Sequence, residues 1–262
     1  MIHFKLKDID SVIPIGNDLN WFSLTDGELY LNVENYKLFE YTSQAMQYFD
    51  DKTSPYIDYY IARFLEDFTQ LFMAIGESIP DHLYELTKNL HYFQENTSKW
   101  LSILDKDDDM PSNFYFEEYT SVCSWINNRQ LNSSHLIGGP SVYFLRNRDK
   151  IRIAWETDQT LDNSIKLWTA KTDSLEMDYI EFVNHVKSFG MGFFKEMTQQ
   201  VDKALYKDWG QINLDKQKLI QEQIDRELAF QRSISLLIEV KDCQTNWDEI
   251  DDLIIQMNTE IA

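Results

Sequence analysis

The chain has 262 residues, of which 43% are hydrophobic and 14% aromatic, and its 44 acidic residues outnumber 24 lysines and arginines to give a net charge of −20. So many large apolar side chains predict a packed globule and exclude a disordered chain. The negative charge argues against binding to nucleic acid or to an anionic membrane. It either accommodates a basic protein or peptide as partner or serves only to keep the protein soluble.

The N-terminal residues predict β-structure without a targeting segment. Residues 3–6 match a short strand, and residues 21–33 match a hairpin whose turn is made by Asp26 and Gly27. Charges interrupt the apolar stretch of residues 1–16, so we expect no signal peptide. No later apolar run approaches the roughly 20 residues of a membrane helix. Two cysteines without a CxxC motif fit a reducing compartment, so we expect a cytoplasmic protein.

A helical region follows the hairpin. Residues 54–76 carry a wide apolar stripe, with Ser54 as a candidate N-cap, Pro55 in the first turn and Gly76 as a candidate stop. This spacing predicts one long helix that is mostly buried. Three shorter helices are predicted after it, near residues 81–89, 91–104 and 112–128.

The central segment switches to the alternation that is typical of strands. In the predicted strand 150–156, Trp155 lies on one face and Arg152 and Glu156 lie on the other. The pattern predicts an antiparallel meander of three or four strands. These strands cover residues 141–146, 150–156, 165–170 and 174–177.

The C-terminal part predicts long helices over residues 178–206 and 213–241, and a last helix over residues 245–261. Gly190 and Gly192 interrupt the first of them, and each costs about 1 kcal/mol relative to alanine. We therefore expect a kink or a close helix approach at these glycines. The apolar positions predicted to face inward on the second helix are Leu214, Ile220, Ile224, Leu228, Ile234 and Ile238.

These elements predict a single α+β domain over residues 1–262. A mostly antiparallel sheet, made of the N-terminal hairpin plus the central three- to four-stranded meander, would pack against several helices, with the long helices at the C-terminus. The parts are the N-terminal strands and hairpin (1–50), a helical part (54–128), the strand meander (141–177) and the C-terminal helices (178–262).

The most acidic stretch of the chain, residues 104–118 (LDKDDDMPSNFYFEE), copies the first half of a calcium-binding loop. An EF-hand needs a glycine at position 6 and a bidentate glutamate at position 12. Met110 and Phe116 stand at those positions, so we expect no calcium site. The stretch is either a solvated turn or a contact for a basic partner. Its partner-binding residues would be Asp105, Asp107, Asp108, Asp109, Glu117 and Glu118.

The sequence offers no motif for catalysis, metal binding or cofactor binding. No histidine lies three or four residues from another, and the GxSxG, P-loop and GxGxxG patterns are absent. His91 with Glu95, and Glu181 with His185, are each one helical turn apart, a spacing more typical of surface pairs than of a metal site. We therefore expect no catalytic residue, no metal and no cofactor.

A cluster of tryptophans and basic residues in the predicted meander leaves two interpretations open. In the first, the tryptophans pack in the core and the basic residues form internal salt bridges. In the second, the cluster lines a small ligand pocket between the sheet and the long helix. The pocket residues would be Arg63, Arg152, Trp155, Glu156 and Trp168.

The chain resembles an uncharacterised bacterial domain family, a domain of unknown function. The likeness rests on a WFxLTDG hairpin, a YxDYxxARxxED helix and GGPxxxFxRxxDxIxIxWE…WTA strands, read here as WFSLTDG, YIDYYIARFLED and GGPSVYFLRNRDKIRIAWE…WTA. It spans most of residues 1–235 and implies a bacterial origin and one domain, but no activity. Glu156 and His185 stand where the family pattern has Asp and Glu. In the helix motif, Arg63 and Asp67 are one turn apart, which predicts a structural ion pair.

Two classes of function follow from these observations. The first is a non-enzymatic, acidic interaction protein of the bacterial cytoplasm, such as an immunity-type protein that neutralises a basic toxin. The alternative is a small-ligand-binding protein, or an enzyme of unknown reaction, that uses the pocket between the sheet and the long helix. A homodimer formed through the C-terminal helices is compatible with both.

Overall fold

The computed structural model describes residues 1–50, 54–104, 112–238 and 245–262. These residues form an α+β fold with antiparallel sheets and long C-terminal helices, which confirms the predicted class. The N-terminal strands and the meander form two separate sheets and not the one sheet that was predicted. No helix among them is both long and apolar enough to cross a lipid bilayer.

The first sheet is built around one central strand. β2 (Asp26–Val33) pairs with β1 (Ile2–Leu6) on one edge, and with β3 (Tyr36–Leu38) and β4 (Ile57–Tyr60) on the other. The predicted turn at Asp26 and Gly27 is wrong, because both residues already lie in β2 and pair with β4. A single 3₁₀ turn precedes the strand instead of a second strand.

The predicted helix over residues 54–76 is wrong at its start. A short helix α1 (Ser43–Tyr48) precedes β4, and the helical stripe then runs through α2 (Ile61–Gln70) and α3 (Phe72–Gly76). β4 is extended because its backbone pairs with the edge of β2, which would otherwise stay unpaired. The predicted stop at Gly76 is confirmed.

The second sheet has helices on both faces. Its strands follow in chain order as β5 (Gln130–Leu131), β6 (Ser141–Asn147), β7 (Lys150–Glu156) and β8 (Asp173–Asp178). Alternate residues of β6 and β7 enter two different hydrophobic clusters: Phe144 and Trp155 belong to the first, and Leu145 and Ala154 to the second. The sheet is therefore a buried layer with a core on each side.

The predicted strand over residues 165–170 is wrong. This segment forms only isolated bridges, because β8 already occupies the edge of β7 that it would need. Trp168 stacks on Tyr41 with ring centroids 4.7 Å apart and donates its indole N–H to the carbonyl oxygen of Gly138 at 2.8 Å. Trp155 and Trp168 are both buried in the core, but they are not on neighbouring strands.

Two groups of helices cover the second sheet. On one side lie α4 (Asp81–Leu86), α5 (Leu90–Leu104), α6 (Ser112–Asn127) and α9 (Trp247–Glu260), which enclose the second cluster with Trp100 and Trp125. On the other side, α7 (Tyr179–Tyr206) packs on the first cluster and against α8 (Lys216–Ile238). The predicted extents of α7 and α9 agree with the structure.

The close helix approach predicted for the glycines of α7 is confirmed at one of them. A Cβ on Gly190 would lie 1.9 Å from Cε1 of Phe230 on α8. A Cβ on Gly192 would meet only Phe4, at 3.8 Å. Gly190 is therefore the residue that lets the two helices pack.

The inward stripe predicted for α8 is wrong at both ends of the helix: Ile238 in its last turn is 52% exposed, and three residues of its first half are exposed as well. Ile220, Ile224 and Leu228 are 43%, 47% and 42% exposed. Gln223 faces inward instead, where its side chain accepts the indole N–H of Trp21 at 2.7 Å and donates to the backbone oxygen of Phe194 at 3.2 Å. These hydrogen bonds satisfy a buried amide and fix the rotation of the helix about its axis.

Candidate binding surface

Half of the net charge of the chain lies in the sequence segments that contain three neighbouring helices. Residues 90–128 and 245–262, which contain α5, α6 and α9, hold twelve acidic residues and only two lysines. Neither α6 nor α9 contains a lysine or an arginine. Residues 179–238, which contain α7 and α8, hold eight acidic and eight basic residues. We call α5, α6 and α9 the acidic layer.

Helix α9 presents acids at its first turns. It begins after Asn246, whose side chain accepts a hydrogen bond from the backbone N–H of Glu249 and donates one to the carboxylate of Glu249 at 3.0 Å. Asp248, Glu249 and Asp252 are exposed. Negative charge near a helix N-terminus is favourable, so the fold tolerates these acids without cationic partners on the same helix.

A cleft of about 540 Å³ opens beside these acids, between α3, α6 and α9. Its walls carry side-chain amides and hydroxyls from α6 and the start of α9, with an acidic rim at Glu249. The polar lining residues from these two helices and their flanks, apart from Arg129, are Ser121, Ser124, Asn127, Asn128, Thr245, Asn246 and Glu249. Apart from the buried Arg129, none of the described lining residues is a lysine or an arginine.

The inner wall of the cleft contains a buried ion pair. Nη2 of Arg129 lies 3.0 Å from Oε2 of Glu77, and the two side chains are 1% and 4% exposed. Arg129 also donates to the backbone oxygen of Trp125 at 2.6 Å, and Thr245 donates its hydroxyl to Glu77 at 2.7 Å. The indole ring of Trp247 lies 5.4 Å from the guanidinium carbon. Because Glu77 neutralises the charge of Arg129, the electrostatic potential of the cleft is set mainly by Glu249 at its rim.

Only two of the six predicted partner-binding acids lie within the described residues, both on α6. Asp105, Asp107, Asp108 and Asp109 lie outside the described residues. Glu117 is exposed, whereas Glu118 is partly buried. Burial and the nearby Glu260 raise the pKa of the Glu118 carboxyl. Glu260 itself accepts the indole N–H of Trp100 at 2.6 Å, so acids of α6 and α9 lie close together.

The predicted ligand pocket does not gather its charged residues. Trp155 points to the face of the second sheet covered by α7, where it enters the first cluster. Arg152 and Glu156 lie on the opposite face, because side chains alternate along a strand. A pocket between this sheet and α7 therefore cannot contain both Trp155 and Arg152, and the predicted set is corrected on this point.

Arg152 is held in a structural network. It is 5% exposed and donates to the backbone oxygen of Tyr84 at 3.0 Å and to Glu176 at 3.1 Å. The ring of Tyr84 lies 4.3 Å from its guanidinium carbon. These contacts join α4 to β7 and β8, so Arg152 contributes to packing rather than to an open site.

Arg63 has different partners from Arg152. Its Nε lies 2.9 Å from Oδ2 of Asp67, one turn along α2, which confirms the predicted structural pair. Glu156 lies near the hydroxyl of Tyr143, at 3.4 Å, and burial raises the pKa of its carboxyl. The described contacts bring neither residue to Arg152.

Two other basic residues of the meander form ion pairs, as the first interpretation of this cluster predicts, although their partners are not the acids nearest in sequence. Lys150 lies 2.6 Å from Asp178, and Arg148 pairs with Asp81. Arg146 donates to the backbone oxygen of Gly76 and stacks on Tyr179 at 4.0 Å. Carboxylates therefore compensate two of these three charges, and a backbone carbonyl and an aromatic ring contact the third.

The pairs of histidine with glutamate form as predicted, without a metal site around them. Nε2 of His91 lies 3.2 Å from Glu95, and Nε2 of His185 lies 3.6 Å from Glu181. Within the described ranges, no three side chains of histidine, cysteine, aspartate or glutamate are grouped to hold a metal ion.

Sequence reasoning missed the residues of the cleft. Glu77 and Arg129 are separated by 52 positions, and neither belongs to a recognisable motif. The only hint in the sequence is that each of the two residues is a single charge near apolar residues, Glu77 in AIGESIP and Arg129 in WINNRQL. A charge in such a setting usually needs an internal partner, but the sequence does not say which one.

Comparison with known proteins places the whole chain in one family. The model of a family of unknown function, DUF5984, matches residues 1–253, so the chain belongs to that family. A search of curated proteins finds no match, and neither does a search of solved structures.

Proposed function

We propose that this member of the DUF5984 family is a non-enzymatic, acidic protein that binds a basic protein through its acidic layer. The observation that supports this function best is the cleft between α3, α6 and α9, which is bordered by two helices without a lysine or an arginine. We further propose that it acts in the bacterial cytoplasm as an immunity-type protein, which neutralises a basic toxin.

The geometry supports this proposal in two steps. The charge of the acidic layer attracts a basic protein at long range and raises its association rate. The cleft then accepts a lysine or arginine side chain of the partner, since amide, hydroxyl and carboxylate oxygens are the acceptors that such donors need. The buried pair of Glu77 and Arg129 keeps the wall of the cleft rigid.

The proposal is tested with a pair of charge-matched double variants. Glu249→Gln with Asp252→Asn removes the acid at the rim of the cleft and the exposed acid three residues further along α9, and Glu196→Gln with Asp202→Asn removes two charges from exposed positions of α7. The immobilised proteins are exposed to an extract of the source cells at low salt, and the captured protein is identified and titrated. We expect capture of a basic protein whose affinity falls by roughly tenfold or more in the first variant only, since steering alone changes association rates by 10–10³.

Two results would contradict the binding function. One is that the wild-type chain captures no basic protein at low salt. The other is that both double variants lose the same affinity, which would show a dependence on total charge and not on the cleft.

The finer proposal of immunity has its own test. The chain is expressed together with the product of the neighbouring gene, and the survival of the cells is measured. We expect the neighbouring product to be toxic alone, and we expect the wild-type chain to restore growth more strongly than the variant altered at Glu249 and Asp252. A harmless neighbouring product, or rescue that is equal for both chains, would contradict the immunity role.

A further inference from the structure

An exposed apolar surface lies on the opposite group of helices, α7 and α8. Met191 of α7 is 70% exposed. On α8, the residues Ile220, Ile224 and Leu228 are spaced by four and are all more than 40% exposed. Residues at this spacing lie along one helix face, so they form a continuous stripe. Contiguous apolar surface of this kind marks an interaction site more often than isolated exposed residues do.

A groove of about 220 Å³ runs beside the stripe. It exists because Gly190 has no side chain above the ring of Phe230. Its apolar residues are Gly190, Met191, Phe194, Phe230 and Ile234.

Two opposite charges border this groove. Lys187 comes from α7 and Glu227 from α8. Among the described residues, neither side chain forms an ion pair, and Glu227 accepts only a long hydrogen bond of 3.4 Å from Gln231. Both charges are therefore available to a molecule that covers the groove.

We infer that the occupant of this surface is a second copy of the same chain, related by a two-fold axis. A two-fold interface uses the same patch on both copies, so the patch must be complementary to itself. A patch with one cation and one anion meets this condition, because Lys187 of one copy faces Glu227 of the other. The apolar stripe and the groove supply the buried area between these pairs.

The charge distribution favours a second copy at this surface and not elsewhere. Two chains of charge −20 repel each other, and the repulsion is strongest where the acidic layers meet. Residues 179–238 carry equal numbers of acidic and basic side chains, so this is a face on which two copies approach at low electrostatic cost. Helix α8 has 23 residues and is roughly 35 Å long, enough to span an interface of ordinary size.

The test is sedimentation of the full chain over a range of concentrations and salt. We expect a dimer of two 31.2 kDa chains, with an affinity that increases with salt because salt screens the repulsion. The basic partner of the acidic layer should instead dissociate as salt rises. The opposite responses allow either proposal to fail without the other.

Variants identify the surface. Met191→Glu should weaken the dimer by at least tenfold, whereas Ile255→Glu, at a position of α9 that is 64% exposed, should not. Lys187→Glu and Glu227→Lys should each weaken it, and the double exchange should restore it. Circular dichroism confirms that the variants fold. A wild-type monomer at every concentration and salt, a dimer unaffected by Met191→Glu, or a double exchange as weak as the single ones would overturn the inference.

Discussion

The acidic layer and the pair of α7 and α8 cover opposite faces of the same sheet, yet they differ in both charge and exposed surface. The first has twelve acids and two lysines in its sequence segments, and the second has eight of each. The first borders a polar cleft, and the second carries an apolar groove between Lys187 and Glu227. The net charge of −20 is therefore an average over regions of different local charge.

This difference shows why a protein of strong overall charge can have two kinds of interaction surface. Charge repels like molecules and attracts opposite ones only where it is exposed and uncompensated. The pair of α7 and α8 is balanced in charge, so apolar contacts dominate there. The acidic layer is unbalanced, so electrostatic attraction dominates there. The following variants test whether different interactions stabilise the two regions.

The largest effect is expected at the buried ion pair of the cleft. Arg129→Met leaves the carboxylate of Glu77 buried without its guanidinium partner, and breaking a buried pair in this way costs roughly 3–5 kcal/mol. Arg148→Ala is the control, because the side chain of Arg148 is 71% exposed and surface pairs contribute about 0–1 kcal/mol. Urea unfolding of both variants measures the difference, and equal losses would disprove the structural role of the buried pair.

The contact between α7 and α8 comes next. Gly190→Ala places a methyl group against the ring of Phe230, and overpacking of this kind costs about 1–3 kcal/mol. Gly192→Ala, two residues away, meets no close atom and should stabilise the helix by up to about 1 kcal/mol. Thermal unfolding should therefore shift in opposite directions for the two variants. A stabilising Gly190→Ala would mean that the helices are not in contact there.

A smaller effect is expected at the start of α9. Asn246→Ala removes the side-chain cap of this helix, which costs about 1 kcal/mol. Asn184→Ala, at an exposed position inside α7, removes no cap and replaces a weaker helix former by alanine, so it should not lower the free energy of unfolding. Chemical unfolding compares the two. An unchanged stability of Asn246→Ala would show that the cap is not formed in solution.

The smallest effect concerns pH. Burial raises the pKa of Glu156, so the folded chain binds a proton more tightly than the unfolded chain does. The Glu156 carboxyl therefore contributes to stability below its pKa in the unfolded chain, and this contribution is lost as pH rises through its pKa in the folded chain. Glu156→Gln removes this loss, so its free energy of unfolding should rise relative to wild type from acidic to neutral pH.

The control for this experiment is Asp252→Asn, because the side chain of Asp252 is exposed. Unfolding of the three proteins is measured at matched pH values in the same buffer. A difference between Glu156→Gln and wild type that stays constant with pH would contradict the assigned cause.

The errors of the sequence analysis have a common physical origin. Residues 57–60 have the apolar spacing of a helix but form β4, because the edge of β2 needs a partner. Residues 165–170 alternate like a strand but find the edge of β7 already occupied by β8. In each case the local pattern is compatible with two structures, and a backbone pairing distant in sequence decides between them.

The candidate site was less predictable than the fold. The sequence shows the acids of residues 104–118 and 245–262 and the absence of cations in α6 and α9. It does not show that Glu77 and Arg129 meet, or that Arg152 and Trp155 point to different cores. A predicted pocket built from residue types alone therefore combined side chains that the sheet separates.

The sequence by itself determined the α+β class, the extents of α7 and α9, the alternation of β6 and β7 and the overall charge. These properties depend on residue periodicity and composition, which act over a few neighbouring positions. The tertiary structure alone decided which stripe of α8 faces inward, where Gly190 allows two helices to touch, and where acids gather beside a cleft. Those features depend on contacts between segments that are far apart in the chain, and a single sequence does not show which of these segments are close in space.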